Sequence, residues 1–261
     1  MPGNASGKQG PSYRWARILS VFPMPIQAGI AALCVERSVL KRSLDATLAG
    51  LLLILALPVI AIAAGLIKLE SEEPALFCQL RMGRGFKVFK LLKLRTMRAC
   101  CDGPVYTLDA DLRITRVGRW LRRFKIDELP QLWNVLCGNM SLVGPRPVVP
   151  ELTREFRQGY EILLAVRPGL TDPATMKYCR EAEILALVSD PDDYFKTVMM
   201  PDKLRISHAY LQRATVWSDM AVLAGTFAAL LPSASRTQAM KQSLTAGRGA
   251  LLTVAEGNRG R

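Results

Sequence analysis

The chain contains one long apolar segment within a mixed pattern of apolar and polar positions. Residues 46–67, ATLAGLLLILALPVIAIAAGLI, run for 22 positions without a charged side chain. As a helix this segment spans about 33 Å, enough to cross the hydrocarbon core of a bilayer. A buried core helix is the alternative, but the segment is apolar on every face, which favours a membrane. Pro58 near its centre removes a backbone donor and predicts a kink.

Shorter patterns predict a hairpin and a basic helix after this segment. In residues 74–97, two short apolar runs flank Gly83 and Gly85, which indicates a β-hairpin with a glycine-containing loop. In residues 113–125, apolar residues recur at helical spacing and arginines fill most of the other positions. This pattern predicts an amphipathic basic helix, weakened at Gly118.

Helices are also predicted further along the chain. They cover 128–137, the stretches around 148–165 and 202–215, and, with weaker amphipathicity, 216–231. Between the first two, the segment SLVGPRP is predicted to form an extended loop that fixes Arg146 between two prolines.

The two ends of the chain have the composition of disordered segments. Residues 1–12 and the tail from Ser233 are polar and rich in residues such as Gly that disfavour regular structure. The uncharged stretch 18–35 resembles a secretory signal, but prolines interrupt it and no A-x-A site follows. We therefore favour an interfacial or loosely packed segment there. The predicted organisation is an extension over 1–40, a membrane segment over 41–70, a catalytic domain over 71–232 and a tail over 233–261.

Composition narrows the chemistry. The formal net charge of +13 implies an anionic partner, which could be nucleic acid, an acidic membrane surface or a substrate with several phosphates. The six cysteines include no C-x-x-C pair and indicate a reducing compartment. The single histidine, His208, argues against a zinc site and against Ser-His-Asp catalysis.

Asp127 and Glu128 form an acidic pair directly after four basic residues in 119–125. They could serve a structural role, because Asp127 fits a helix N-cap and Glu128 suits the positive end of the helix dipole. Nearby positive charge and the dipole also predict that both are ionised. Ionised carboxylates suit a nucleophile or a ligand of Mg²⁺ that is shared with substrate phosphates. Together with a membrane segment and many arginines, they suggest phosphoryl transfer at a membrane.

These residues lie in motifs that resemble the bacterial sugar transferases, which are monotopic phosphoglycosyl transferases. The resemblance covers roughly residues 41–225. It rests on KRSLDATLAGLLLILALPVIAIAAGLIKLES, FCQLRMGRGFKVFKLLKLRTM, RITRVGRWLRRFKIDELPQLWNVLCGNMSLVGPRP, RPGLTDP and WSDMAVL. It implies a two-step reaction in which a sugar phosphate moves from a UDP-sugar to polyprenyl phosphate and UMP leaves.

The resemblance also implies roles for individual residues. Asp127 matches the family's nucleophile and Glu128 its partner in the acid pair, with Mg²⁺ held there on the diphosphate. Substrate contacts fall to four basic residues: Lys93, Arg95, Arg122 and Arg146. Two departures stand out, because the usual Ser-Pro is Leu57-Pro58 and the usual Gly-Trp-Ala-Gln is replaced by residues 172–175, DPAT. A nucleotide-binding role is therefore not carried over to Arg180.

The expected fold class is α+β: a mainly helical, monotopic membrane protein with a small β-hairpin and an N-terminal re-entrant, proline-kinked membrane helix. Arg37, Lys41 and Arg42 precede the apolar segment and place that end in the cytoplasm by the positive-inside rule. A straight span would then export the acid pair. Re-entry at Pro58 would instead keep the catalytic domain in the cytoplasm, on the anionic inner leaflet.

Two other functions fit the same residues. A membrane-tethered binding module could recognise headgroups or nucleic acid without turnover, although the sequence has no aromatic stacking platform or recognised nucleic-acid motif, so nucleic acid is not expected as a partner. An enzyme could also transfer a bare phosphate or a nucleotide to a lipid.

Overall fold

The computed structural model describes residues 38–98 and 111–230. Most of the predicted extension 1–40 and the whole tail 233–261 lie outside the described residues. The helices are α1 (Ser38–Glu70), α2 (Arg116–Arg123), α3 (Gln131–Leu136), α4 (Pro150–Glu155), α5 (Arg157–Leu163), α6 (Pro173–Lys177), α7 (Glu181–Ala186), α8 (Pro191–Tyr194), α9 (Met200–Arg213) and α10 (Val216–Leu230). The strands are β1 (Leu76–Met82), β2 (Val88–Leu94), β3 (Ser141–Val143) and β4 (Gly169–Thr171). Short 3-10 turns cover Arg84–Phe86 and Ile126–Glu128, and a π-helical turn covers Phe195–Met199.

Helix α1 carries its apolar side chains outward. A narrow stripe faces the rest of the protein and is buried: Asp45, Ala49, Ala56, Ala63 and Ile67. Large apolar side chains such as Ile54, Leu55 and Ile62 are exposed on the other faces. Among the described residues, α1 is the one helix long and apolar enough to cross a membrane, judged by length and composition. Its exposure argues against the alternative of a core helix, and it runs unbroken through Pro58.

Polar contacts hold both ends of α1 on the same globular unit. Near its start, the Arg42 guanidinium donates to the carbonyls of Val135 and Leu136 at 2.5 and 2.6 Å, at the carboxyl end of α3. At its last residue, the Glu70 carboxylate accepts the backbone N–H groups of Arg116 and Val117 at 2.8 and 2.9 Å. Glu70 therefore caps α2, the predicted basic helix, so that α1 fixes the elements on both sides of the acid pair.

The predicted hairpin is confirmed. Strands β1 and β2 pair antiparallel, from Leu76 opposite Leu94 to Met82 opposite Val88. Alternate residues face inward and are half-buried or buried: Phe77, Gln79 and Arg81 on β1, and Phe89, Leu91 and Lys93 on β2. This alternation places two cations on the inner face of an otherwise largely apolar hairpin.

The amide of Asn134 on α3 completes the outer edge of β2. Its Oδ1 accepts the N–H of Leu92 at 3.0 Å, and its Nδ2 donates to the carbonyl of Lys90 at 2.8 Å. One buried side chain thus replaces a neighbouring strand and docks α3 onto the hairpin.

A second, parallel pair of strands, which sequence patterns did not predict, fixes the loop that carries Arg146. Strand β3 pairs with β4, and the Gly169 N–H continues the contact by donating to the carbonyl of Pro145 at 2.9 Å. A Cβ atom at Gly169 would lie 2.1 Å from the backbone nitrogen of Gly144. The two segments therefore cross at a distance that only glycine permits.

Several predicted helices are shorter than expected. The stretch 128–137 resolves into the 3-10 turn 126–128 and α3, and the stretch around 148–165 into α4 and α5. Gly118 is not a weak point of the basic helix, because a Cβ there would lie 2.2 Å from the carbonyl oxygen of Thr96. Because glycine has no side chain, the backbone of α2 can pack against Thr96 in the segment after β2.

Asn134→Leu should destabilise the protein, because it leaves the Leu92 N–H and the Lys90 carbonyl without their partner. The expected loss is about 1–3 kcal/mol of unfolding free energy, or roughly 2–4 °C in Tm for each kcal/mol. Thermal unfolding in detergent measures it. Asn139→Leu, at an exposed position five residues on, is the matched control and should change Tm little. Equal Tm values for the two variants would contradict the edge role of Asn134.

Candidate active site

Apolar neighbours fix the turn that carries the acid pair. Before the turn, Leu121 is 0% exposed and packs with Ala63 and Ile67 of α1. Lys125 then adopts a left-handed conformation, with φ of 57°, which redirects the chain into the 3-10 turn. After it, Leu132 joins a second buried cluster that includes Ala49. A left-handed non-glycine residue is a costly conformation that folded proteins retain mainly at functional sites.

Asp127 is buried and only partly compensated. It is 7% exposed, and its Oδ1 has no hydrogen-bond partner among the described residues. Burial raises its pKa, the charge of Glu128 raises it further, and the nearby cations Lys125, Arg122 and Lys93 oppose this only in part. The predicted N-cap role is wrong, because Asp127 lies inside the 3-10 turn. The basic surroundings of Asp127, from which sequence reasoning predicts an ionised carboxylate, are opposed by a burial that the sequence does not show.

Glu128 is held by a guanidinium fork. Its Oε1 lies 2.7 Å from Nη2 of Arg146 and its Oε2 lies 3.4 Å from Nη1. The ammonium of Lys125 lies 3.7 Å from Oε1. Burial alone would raise the pKa of Glu128, but the charges of Arg146 and Lys125 outweigh it and lower the pKa to about 2. The two adjacent carboxyls therefore have opposite environments: Glu128 is paired and Asp127 is free to react.

The structure brings three of the four predicted substrate-binding residues to this pair. Arg146 binds Glu128 directly. Arg122, in the last turn of α2, exerts its charge on both Asp127 and Lys93. Lys93 projects from the inner face of β2, where burial and the charges of Arg81 and Arg122 lower its pKa to about 8. Each of these cations comes from a different element, namely a loop, a helix and a strand.

Arg95 has other contacts. Its guanidinium forms an ion pair with Glu73 at 2.9 Å and donates to the carbonyl of Pro74 at 2.8 Å. It also lies over the ring of Phe77, 5.4 Å from its centroid. The described contacts of Arg95 thus belong to the segment before β1, and none of them joins it to the acid pair.

Sequence reasoning missed Arg81. It lies on β1 and faces inward like Lys93, within electrostatic range of Arg146 and Glu128. The signal was present in the alternation of the hairpin, because the inner face that holds Lys93 also holds every second residue of β1. The apolar positions predict the hairpin, and the same alternation places the charged side chain of Arg81 on its inner face.

The segment that departs from the resembled family has a structural role in the fold. Asp172 is buried, caps α6 by accepting the N–H of Thr175 at 2.7 Å, and accepts the hydroxyl of Ser207 at 2.7 Å. Arg180 forms an ion pair with Glu183 at 2.5 Å.

The arrangement favours an anionic ligand with more than one charge. Five cations surround two carboxylates: Arg81, Lys93, Arg122, Lys125 and Arg146. Guanidinium groups suit phosphate, which they bind through paired hydrogen bonds. Within the described residues, no group of three or more His, Cys, Asp or Glu side chains could hold a metal. Two adjacent carboxylates with one unpartnered oxygen nevertheless fit Mg²⁺, which often takes only one or two protein carboxylates beside substrate phosphates.

Comparisons with known proteins agree on one family. Residues 36–233 match the sequence profile of the family described as bacterial sugar transferase. The chain is 40% identical over 205 residues to the UDP-glucose:undecaprenyl-phosphate glucose-1-phosphate transferase of Caulobacter vibrioides, an alignment that covers 73% of this chain and 69% of that protein. It is 38% identical over 192 residues to the undecaprenyl-phosphate glucose phosphotransferase of Komagataeibacter xylinus, covering 70% of this chain and 34% of that protein.

The name of a third relative specifies N-acetylgalactosamine, whereas the first two names specify glucose. This relative is the putative undecaprenyl-phosphate N-acetylgalactosaminyl 1-phosphate transferase of Bacillus subtilis, 48% identical over 120 residues, which are 45% of this chain and 67% of that protein. The chain thus spans from about a third to about two thirds of the length of these relatives.

Replacing the two carboxyls by amides should change stability in opposite directions. The raised pKa of Asp127 means that its charged form destabilises the folded state at pH 7, so Asp127→Asn should raise Tm. The lowered pKa of Glu128 contributes stability above pH 4.5 that is lost as the pH falls towards 2, so Glu128→Gln should lower Tm at pH 7 by several degrees. Melts in detergent with a chelator present test both variants. A fall in Tm for Asp127→Asn would contradict the assigned environment.

Proposed function

Because the chain belongs to the bacterial sugar transferase family, we propose that it transfers a sugar 1-phosphate from a UDP-sugar to polyprenyl phosphate and releases UMP. The observation that carries this proposal is the buried Asp127, which has a free carboxylate oxygen and lies among cations that suit phosphates. The names of several relatives support both substrates, since they specify undecaprenyl phosphate and, for three glucose transferases, UDP-glucose. One relative is named an exopolysaccharide production protein, which supports a role in initiating surface polysaccharide synthesis.

In the first step, a carboxylate oxygen of Asp127 attacks the phosphorus nearest the sugar. The bond from that phosphorus to the bridging oxygen breaks, and UMP leaves with the electron pair. The product is an acyl phosphate between Asp127 and the sugar phosphate, which retains the transfer potential of the diphosphate. The remaining work is alignment and charge neutralisation, which we assign to Lys93, Arg122 and Arg146.

In the second step, an oxygen of polyprenyl phosphate attacks the same phosphorus. The bond to Asp127 breaks, the carboxylate is restored, and a polyprenyl diphosphate sugar forms. A carboxyl with a pKa of about 2 is a weak base. We therefore assign to Glu128 the task of holding Arg146 in place, rather than removing the last proton of the acceptor phosphate.

Asp127 and Glu128 are also the residues that would hold Mg²⁺ together with the phosphates of the donor. The ion would supply neutralisation of the charge that develops on the leaving UMP.

We propose that α1 enters and leaves the membrane from the cytoplasmic side. Both of its ends are bound to the same globular unit, through Arg42 and through Glu70, while its exposed faces are apolar. A helix held in this way suits a domain that rests on the anionic inner leaflet. With Leu57 in place of serine, the Ile54 carbonyl, which Pro58 leaves without a backbone donor, needs another partner, such as water.

A panel of UDP-sugars with polyprenyl phosphate and Mg²⁺ tests the reaction through UMP release. Label in the sugar and label in the uridine distinguish the alternatives: sugar label in the lipid product supports sugar-phosphate transfer, and uridine label supports nucleotide transfer. If no sugar gives UMP, the binding-module alternative gains support.

Asp127→Asn should lower UMP release by several orders of magnitude, as the loss of a nucleophile does. Asp192→Asn is the matched control, because Asp192 is an exposed carboxylate on α8, and its activity should be unchanged. Burst-phase release of UMP without acceptor lipid should also disappear in Asp127→Asn alone. Near-normal turnover of that variant would overturn the assignment of the nucleophile.

Single cysteines at Val39 and Glu72, in an otherwise cysteine-free protein, should test the topology of α1. Re-entry predicts that a membrane-impermeant thiol reagent labels neither site in intact cells and labels both after permeabilisation. A third cysteine at Glu161, an exposed residue of α5, reports the side on which the globular domain lies. If the reagent labels the Glu72 site but not the Val39 site in intact cells, α1 spans the membrane. The acid pair would then have no access to a cytoplasmic donor.

A further inference from the structure

Arg81 lies deep beside the acid pair and is bonded to the loop that carries Arg146. Its Nη1 donates to the carbonyl of Pro147 at 3.3 Å, and its Nη2 donates to Oε1 of Gln79 at 2.7 Å. The next residue, Met82, extends the same contact, since its N–H donates to the carbonyl of Val148 at 2.9 Å. Strand β1 therefore borders the loop, and Arg81 is the side chain at that border.

The charge of Arg81 is not paired. Its Nε is buried without a hydrogen-bond partner, and no carboxylate of the described residues lies within salt-bridge distance of its guanidinium. Burial and the charge of Arg146 lower its pKa to about 10, so it remains a cation at neutral pH. An unpaired buried cation costs free energy, and its like-charged neighbours Arg146 and Lys93 add to that cost. An anion that enters the site would offset both costs.

We propose that Arg81 is a positioning residue for the diphosphate of the nucleotide sugar. Its charge attracts the diphosphate, and its hydrogen bond to Pro147 holds the loop so that Arg146 stays beside the acid pair. This inference rests on the proposed function and deepens it. The donor is favoured over the lipid acceptor because its diphosphate carries a second charged phosphate beyond the reacting one. That phosphate needs a cation besides Arg122 and Lys93, whose charges act on Asp127.

Two substitutions separate the charge of Arg81 from its hydrogen bonds. Both replace the guanidinium that donates to Pro147 and Gln79, but Arg81→Gln removes the positive charge and Arg81→Lys keeps it. Arg84→Gln is the matched control, because Arg84 is an exposed arginine at the tip of the same hairpin. The measurements are calorimetric binding of UDP to each detergent-solubilised protein at low and high salt, KM and kcat for the UDP-sugar, and Tm.

Arg81→Gln should weaken UDP binding and raise KM by about 10–100-fold, the usual effect of losing one hydrogen-bonding partner of a charged group. Its kcat should change by less than about 3-fold, because Arg81 does not reach the reacting atoms. UDP affinity should also depend less on salt than in the wild type, since part of the electrostatic attraction is gone. Arg81→Lys should stay within about 5-fold of wild type, and Arg84→Gln should match wild type.

Unchanged UDP affinity in Arg81→Gln would overturn the proposal, as would an equal loss in the Gln and Lys variants. If Arg81→Gln does not fold, a folded Arg81→Lys that has lost UDP binding still overturns it. The proposed function fails separately: wild-type protein that binds UDP but releases UMP from no UDP-sugar would refute the reaction and leave the role of Arg81 in binding intact.

Discussion

The site depends on the bidentate pair between Glu128 and Arg146. The pair connects the turn between α2 and α3 to the loop that the β3–β4 pairing fixes. These two segments are separated in the sequence by α3 and β3. It also gives two adjacent carboxyls different environments, because the fork satisfies Glu128, whereas Asp127 keeps an oxygen without a hydrogen-bond partner among the described residues. Without this division, two buried like charges side by side would compete for the same cations. A paired carboxylate and one with an unpartnered oxygen can therefore be neighbours in sequence.

Helix α1 combines an exposed apolar surface with the contacts that position the acid pair. Its buried stripe is narrow and rich in alanine, so the backbones of α3 and α2 can approach it, while larger side chains face outward. Because Glu70 caps α2 and Arg42 caps α3, the same helix positions the elements before and after the acid pair. The exposed apolar surface and the support of the site are thus properties of one element.

Elements with a repeating pattern along the chain could be predicted from the sequence, whereas contacts between residues far apart in the sequence could not. The apolar run of α1, the alternation of the hairpin and the spacing of the basic helix gave the main elements, and the motif resemblance identified Asp127, Glu128 and most of the surrounding cations. The β3–β4 pair involves three residues in each strand, too few for a periodic signal. The burial of Asp127, which raises its pKa, could not be predicted because charge is visible in a sequence whereas burial is not. Arg95 and Lys93 are two positions apart, yet only the structure shows that the strand ends between them.

The anchors of α1 also set an order of assembly. Arg42 contacts a carbonyl 93 positions later in the chain, and the Lys41–Asp219 ion pair spans 178 positions. During synthesis the apolar helix leaves the ribosome long before these partners exist, and contacts between such distant positions form slowly. Lipid is then the first surface that its exposed leucines and isoleucines can meet. On the proposed topology, the globular domain closes onto a helix that is already held at the membrane, and the bilayer then acts as a template for folding.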